Sequence, residues 1–250
     1  MPAPEWKYEL SPGGVEQFCT THWSVVLLAG KQASPLATEA LEKLCRIYWY
    51  PLYAYLRRLS YGSHDAQDLT QGFFARLLET NFLESVERRK GKFRSFLLAS
   101  LNHFLAHERD QADAATRGGG QAPISLVEQD AENRYLHEPQ SDLSPERIFE
   151  RQWALAVLAR GLARLREEHA AAGKARLFDR LKGFLTSGTY EGAYGPVAQE
   201  LNVSGGSVAV AVHRMRQRYR ELVRAEIADT VASPGEIDEE MRTLFAALSQ

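Results

Sequence analysis

The chain has few of the features that mark secreted or membrane-spanning proteins. It contains two cysteines, Cys19 and Cys45, too few for a disulfide framework. No basic segment followed by an apolar stretch opens the sequence, so we expect no signal peptide. No run approaches the roughly 20 apolar residues of a membrane span. We therefore expect a cytoplasmic protein with reduced thiols and no membrane insertion.

A strong charge of either sign is also missing. The 250 residues carry a formal net charge of −2, with 44% hydrophobic and 25% charged residues. This balance argues against a uniformly basic nucleic-acid binder, but it allows basic faces on separate elements. We find no glycine-rich phosphate loop, no metal-ligand set and no local nucleophile–base pair. We therefore expect no cofactor, no metal and no enzymatic activity, although a site assembled from distant residues would escape this reading.

What the sequence does contain is apolar residues at helical spacing, which predicts an all-α protein. The run Arg117-Gly118-Gly119-Gly120 and the acidic stretch after it predict a flexible acidic linker between two helical domains. The predicted order is a loose N-terminus (1–19), a first helical domain (20–112), the linker (113–144), a second helical domain (145–230) and a C-terminal amphipathic extension (231–250).

The segment from His64 to Glu79 is the most informative part of the first domain. One helical face is apolar and consists of Ala66, Leu69, Phe73, Leu77 and Leu78. The opposite face places Asp68 and Gln71 one turn apart, with Gly72 beside them. A solvated helix surface would show the same polar pattern, so the face alone does not identify a binding site.

A basic segment follows in the first domain. Residues 87–98 hold five basic residues and one acidic residue, interleaved with Phe93 and Phe96. Basic side chains can follow phosphates while aromatic rings stack on bases, so the pattern suits single-stranded DNA. A solvated basic loop leading into a core helix would look the same. Further along, His103 and His107 lie one turn apart, but no third metal ligand is evident, so we favour a helix face that reaches DNA.

The second domain contains a predicted helix-turn-helix. Val197, Ala198 and Leu201 form a short apolar helix, Asn202-Val203 forms the turn with Val203 filling the angle between the helices, and Ser204 caps the second helix. Residues 205–224 carry five arginines against Glu221 alone, a charge that positions a helix on phosphates. An αα-hairpin in a helical bundle can give a similar match.

Together these stretches resemble bacterial RNA polymerase sigma factors of the extracytoplasmic-function (ECF) group. The resemblance covers about residues 20–112 and 145–228 and rests on Asp65-x-x-Asp68-Leu69-Thr70-Gln71-x-x-Phe74, on Phe93-Arg94-x-Phe96-Leu97-Leu98, and on the string from Val197 to Leu222. It is closest to planctomycete- and acidobacterial-type members with a C-terminal extension. The implied function is binding of core RNA polymerase and promoter-specific transcription initiation, with an anti-sigma factor or a regulatory kinase as unidentified further partners.

The resemblance also implies site residues. The polymerase-binding set is Asp65, Asp68, Leu69, Gln71 and Phe74. The set for opening and reading the downstream (~−10) promoter element is Arg88, Arg89, Lys92, Arg94, Phe96 and His103. The set for the upstream (~−35) element is Ser204, Ser207, His213, Arg214, Arg216 and Arg218. The alternative is a helix-turn-helix transcription regulator that binds promoter DNA but not polymerase.

Four positions depart from the family pattern, one of them Gly72, where many relatives have a carboxylate that would strengthen the polymerase contact. Relatives often have a basic residue where this chain has Ala209 and Ala211, which weakens the expectation of direct base readout by the second helix. Many have a tryptophan at the position of Phe96. The C-terminal extension is not needed by the compact family pattern. It could cover the core of the second domain, or it could be a regulatory helix that masks a polymerase- or DNA-binding surface.

Overall fold

The computed structural model describes residues 35–78, 92–114, 131–138, 142–186 and 194–249. Every regular element in these ranges is helical, which confirms the predicted all-α class. The α-helices, in chain order, are α1 (Pro35–Arg58), α2 (Ser63–Leu78), α3 (Phe93–Ala114), α4 (Ala131–Leu136), α5 (Pro145–Ala171), α6 (Ala175–Leu181), α7 (Gly195–Leu201), α8 (Gly205–Ala228) and α9 (Ile237–Leu248). The predicted loose N-terminus (1–19) and residues 115–130 of the predicted linker lie outside the described residues.

Helices α5 and α8 each begin directly after a capping serine, and the one at Ser204 was predicted. The Ser144 hydroxyl accepts a hydrogen bond from the Arg147 amide at 3.4 Å, and Pro145 occupies the first turn, where its missing N–H costs nothing. The Ser204 hydroxyl accepts from the Ser207 amide at 3.1 Å. These local signals fix where two of the longest helices start.

The aromatic stretch of α1 forms a large part of the main core. Tyr48, Leu52 and Tyr53 are buried, and the helix continues through Pro51 although a proline removes one backbone hydrogen bond. The ring of Tyr48 packs edge-on against Phe93 of α3, with 5.0 Å between centroids. This stripe is a packing surface for neighbouring helices.

The main core crosses the predicted domain boundary. Phe149, Trp153 and Val157 of α5 belong to the same buried cluster as the aromatic stripe of α1. Val223 and Ile227 of α8, and Leu244 and Ala247 of α9, complete it. The predicted division into two domains joined by a flexible linker is therefore not confirmed, because helices from both sides of the linker share one core.

A second, smaller core lies at the far end of α5. It is formed by Leu165 of α5, Phe178 and Leu181 of α6, Ala198 of α7, and Val208, Val212, Met215 and Leu222 of α8. Helix α8 contributes buried residues between Val208 and Leu222 to this core, and Val223 and Ile227 to the main core. The two cores therefore meet along α5 and α8, within the predicted second domain.

Part of the predicted flexible linker is the short helix α4, which packs on α1. Arg57 donates from Nε and Nη2 to the Glu132 carboxylate at 3.0 and 2.9 Å, and the Tyr53 hydroxyl donates to the same group. The Arg134 guanidinium lies 3.5 Å from the centroid of the Tyr50 ring. Residues 131–136 thus correct the prediction of a flexible connector at this end, because they are helical and Glu132, an acid that suggested solvation, has specific partners on α1.

No helix within the described ranges is long and apolar enough to cross a membrane.

Candidate polymerase- and nucleic-acid-binding surfaces

The outer face of α2 carries most of the predicted polymerase-binding residues. Asp65 and Asp68 are exposed, and Gln71 is half-buried beside the exposed Gly72. Ala66, Thr70, Phe73 and Leu77 are buried on the opposite side, so the helix has one packed face and one polar face. The structure therefore leaves Asp65, Asp68 and Gln71 together at the surface of a helix that packs on α1 and α3.

Two members of the predicted set lie elsewhere on α2. Phe74 is buried, with its ring 5.5 Å from that of Phe73, so it stabilises the packing of α2 and is not accessible to a partner. Leu69 is half-buried at the edge of the main core. A sequence motif cannot separate these roles, because a helix that docks on a partner needs a buried face as well as an exposed one.

The predicted DNA-contacting residues at the start of α3 are engaged within the chain. Arg94 donates from Nε to Glu240 and from Nη1 to Glu150, each at 2.9 Å, and its side chain is 11% exposed. Its guanidinium lies 5.1 Å from the centroid of the Trp153 ring. The Lys92 ammonium lies 2.8 Å from Glu239 and 3.0 Å from Glu240. Both cations are therefore occupied by carboxylates.

These ion pairs raise the pKa of both cations. Burial opposes the charge of Lys92, but hydrogen bonds to Glu239 and Glu240 outweigh it, so the pKa of the ammonium lies above its ordinary value. The same competition between burial and Glu240 raises the pKa of Arg94. Burial also raises the pKa of the neighbouring Tyr48 hydroxyl, and the Glu240 carboxylate adds to that shift. The cluster is a charged network set into the main core.

The remaining predicted residues of this set have different surroundings. Phe96 is half-buried, stacked on Phe93 with 6.2 Å between centroids. His103 is exposed on α3. Arg88 and Arg89 lie outside the described residues. The structure thus brings Lys92, Arg94 and Phe96 together at the start of α3, with His103 further along the same helix.

Helices α7 and α8 are joined by a tight turn. Asn202 has φ 53° and ψ 47°, the left-handed conformation. Its amide donates to the Gln199 carbonyl at 3.2 Å, and the Val203 amide donates to the Ala198 carbonyl at 2.9 Å, which is the Schellman pattern. Val203 is 46% exposed, so our prediction that it fills the angle between the helices is wrong; the buried Ala198 and Val208 lie there instead.

The outer face of α8 is open at its N-terminal half. Ser207, His213 and Arg214 are exposed, and Ser204 is exposed at the cap. Val210, 51% exposed, and Gln217 extend the same face and were not among the predicted residues. The helical spacing of Ser207, Val210, Arg214 and Gln217 could have identified them, since it places all four opposite the buried Val208, Val212 and Met215. The face presents hydroxyl, methyl, amide and guanidinium groups suited to base edges and phosphates.

Two predicted arginines of α8 have structural partners instead. Arg216 donates from Nε and Nη2 to the Phe184 carbonyl at 2.9 and 2.7 Å, which ties α8 to the turn that follows α6. Arg218 forms a bidentate pair with Glu168 and a further bond to Glu221. Hydrogen bonding to Arg218 lowers the pKa of Glu168. Of the predicted arginines in this helix, Arg214 is the one with an exposed side chain and no such tie in the described structure.

A cleft between α1, α5 and α8 adds no binding group to the outer face of α2 or to that of α8. It is lined by Lys43, Arg160, Arg164 and Glu226, among others. The buried Glu226 carboxylate accepts from Arg160 at 2.8 Å and from Arg164 at 2.9 Å, which offsets the positive charge. Among the described residues, no group of three or more His, Cys, Asp or Glu side chains is placed to hold a metal ion.

No family model, curated protein or solved structure matches the chain.

Proposed function

We propose that this protein is a sigma factor of the extracytoplasmic-function type, which binds core RNA polymerase and directs it to promoters. The observation that carries the proposal is the outer face of α2, where Asp65, Asp68 and Gln71 are presented at the surface by a helix whose other side is packed. The same residues carry the sequence resemblance. The protein would act by recruitment, without catalysis of its own.

Helix α8 supports the DNA-binding half of the proposal. It follows α7 through a tight turn, and its exposed face from Ser204 to Gln217 is the part that would enter the major groove. Arg214 would contact a phosphate or a guanine, and Val210 offers a methyl contact to thymine. The alanines at positions 209 and 211 are half-buried, so their lack of charge matters less than the sequence alone suggests.

A second candidate function is a transcription regulator that binds DNA without polymerase. It is favoured by the state of the α3 segment, since Lys92 and Arg94 are occupied by carboxylates while the face of α8 is open. In that case α8 alone would bind duplex DNA. The α2 face would then be an ordinary solvated surface.

Polymerase binding by the α2 face separates the two candidates. We expect the double variant Asp68→Ala/Gln71→Ala to bind core RNA polymerase more than about tenfold more weakly than the wild type, because each truncation removes an interface contact. The helix should remain folded, since Asp68 is exposed and Gln71 is half-buried. Titration of labelled protein with purified core polymerase measures the affinity.

The matched control is Glu167→Ala, which removes an exposed acid from α5 and should leave the affinity unchanged. Equal affinity of the double variant and the wild type would remove the α2 face from the proposal. If the wild type itself fails to bind polymerase but retards duplex DNA, the regulator function replaces the sigma function.

A further inference from the structure

The C-terminal helix α9 lies on the segment that, under the proposed function, would contact melted promoter DNA. Leu244 and Ala247 anchor α9 in the main core, where they pack with residues of α5 and α8. Its first turn carries Asp238, Glu239 and Glu240. Carboxylates are favoured at this end of a helix because the helix dipole is positive there. Helix α9 therefore presents a concentrated negative charge at a fixed place.

Two of these acids point at α3. Glu240 is buried and bonds Arg94 at 2.9 Å, while Glu239 and Glu240 both contact the Lys92 ammonium. Glu150 of α5 accepts a hydrogen bond from a second N–H group of Arg94. The carboxylates thus hold the donors that DNA phosphates would need, in a comparable charge-assisted geometry.

The backbone at the start of α3 is also bound by the C-terminal part of the chain, after α8. The Phe93 amide, at the start of α3, donates to the Thr230 carbonyl at 3.1 Å, just after α8. The turn that follows is fixed by Glu236, which accepts from the amides of Ala232 and Ser233. The C-terminal segment therefore contacts the start of α3 at the Phe93 backbone amide and at the side chains of Lys92 and Arg94.

We infer that α9 is an intramolecular inhibitor of DNA binding, whose Glu239 and Glu240 occupy Lys92 and Arg94 in place of nucleic-acid phosphates. The inference rests on the proposed function. It specifies how the DNA-contacting segment at α3 is regulated: α9 must leave Lys92 and Arg94 before they can bind DNA. A macromolecule that binds α9, or DNA held in place by polymerase, would release them.

The test is binding of a fluorescent single-stranded DNA oligonucleotide of mixed sequence, measured by anisotropy with the full chain. The variant Glu239→Gln/Glu240→Gln keeps the side-chain shapes and removes both charges. We expect it to bind the oligonucleotide about tenfold or more tightly than the wild type. Its salt dependence should steepen by about 0.7–1.4 in log–log slope, since each phosphate contact on a single strand contributes about 0.7 and Arg94 keeps its bond to Glu150.

Three further variants make the test decisive. The pair Glu39→Gln/Glu42→Gln makes the same change in net charge at exposed positions of α1 and should give little gain. Adding Lys92→Gln/Arg94→Gln to the Glu239/Glu240 variant should abolish the gain. Because Glu240 is buried, the single change at the more exposed Glu239 is also measured, and a smaller gain through Lys92 is expected without risk to folding.

The inference is overturned if the Glu239/Glu240 variant gains no more than the α1 control, or if its gain survives the loss of Lys92 and Arg94. It is also overturned if no variant binds the oligonucleotide at low salt. These outcomes leave the polymerase titration of the α2 face untouched, so failure of the inhibitor and failure of the sigma function are distinguishable.

Discussion

Replacing Trp153 with alanine is expected to lower the free energy of unfolding by about 3–5 kcal/mol. Trp153 is fully buried in the main core and also supports the Arg94 guanidinium with its ring. Its loss leaves a cavity between helices that the sequence assigns to two domains. A domain of ordinary stability, about 5–15 kcal/mol, would lose a large part of it.

Chemical denaturation followed by circular dichroism measures the effect. We expect a single unfolding transition that moves as a whole, because α1, α5, α8 and α9 share the core that Trp153 fills. Leu155, two residues further along α5 and 38% exposed, provides the control. Leu155→Ala should change stability by less than about 0.5 kcal/mol. Two transitions, of which only one shifts with Trp153→Ala, would instead support two independent domains.

The second large effect is expected at Gly161, where α5 lies in close contact with α8. A Cβ atom at this position would lie 2.9 Å from Val223 Cγ2 and 3.4 Å from the Val223 backbone nitrogen. A valine therefore requires the Val223 side chain or one of the two helices to shift. We expect Gly161→Val to lower the free energy of unfolding by about 1–3 kcal/mol, the usual cost of overpacking.

Gly72 is the matched glycine for this experiment, since it also lies inside a helix. A Cβ atom there would meet Phe104 Cζ at 3.6 Å, an ordinary contact. Gly72→Ala should therefore raise stability by about 0.5–1 kcal/mol through helix propensity. The packing of α5 on α8 would be contradicted if Gly161→Val were neutral or stabilising by the same denaturation assay.

The parts of this structure that sequence predicts are the ones with local causes. The caps at Ser144 and Ser204 depend on the residues that follow them within one turn. The apolar stripe of α2 and the aromatic stripe of α1 are visible because helical periodicity places them on one face. The outer face of α2 is predicted for the same reason, because it lies opposite the apolar face that packs on the core.

The parts that sequence does not predict depend on partners far away in the chain. Glu132 and Glu240 are acids in segments that resemble solvated linker and tail, yet each is paired with an arginine on a distant helix. Arg216 and Arg218 belong to a basic run that suggests phosphate binding, but their partners are the Phe184 carbonyl and Glu168. A sequence shows how many charged side chains a segment contains. Only the fold shows which of them are already paired with another group of the chain.

Promoter-specific initiation is the central claim, and mapping of transcript 5′ ends tests it most directly. Core RNA polymerase would be incubated with genomic DNA of the source organism, with and without the purified protein. We expect new, discrete 5′ ends that share a two-part upstream sequence, and fewer of them with Arg214→Ala, whose exposed side chain lies on the proposed recognition face. Transcripts with the same 5′ ends as core polymerase alone would contradict the sigma function.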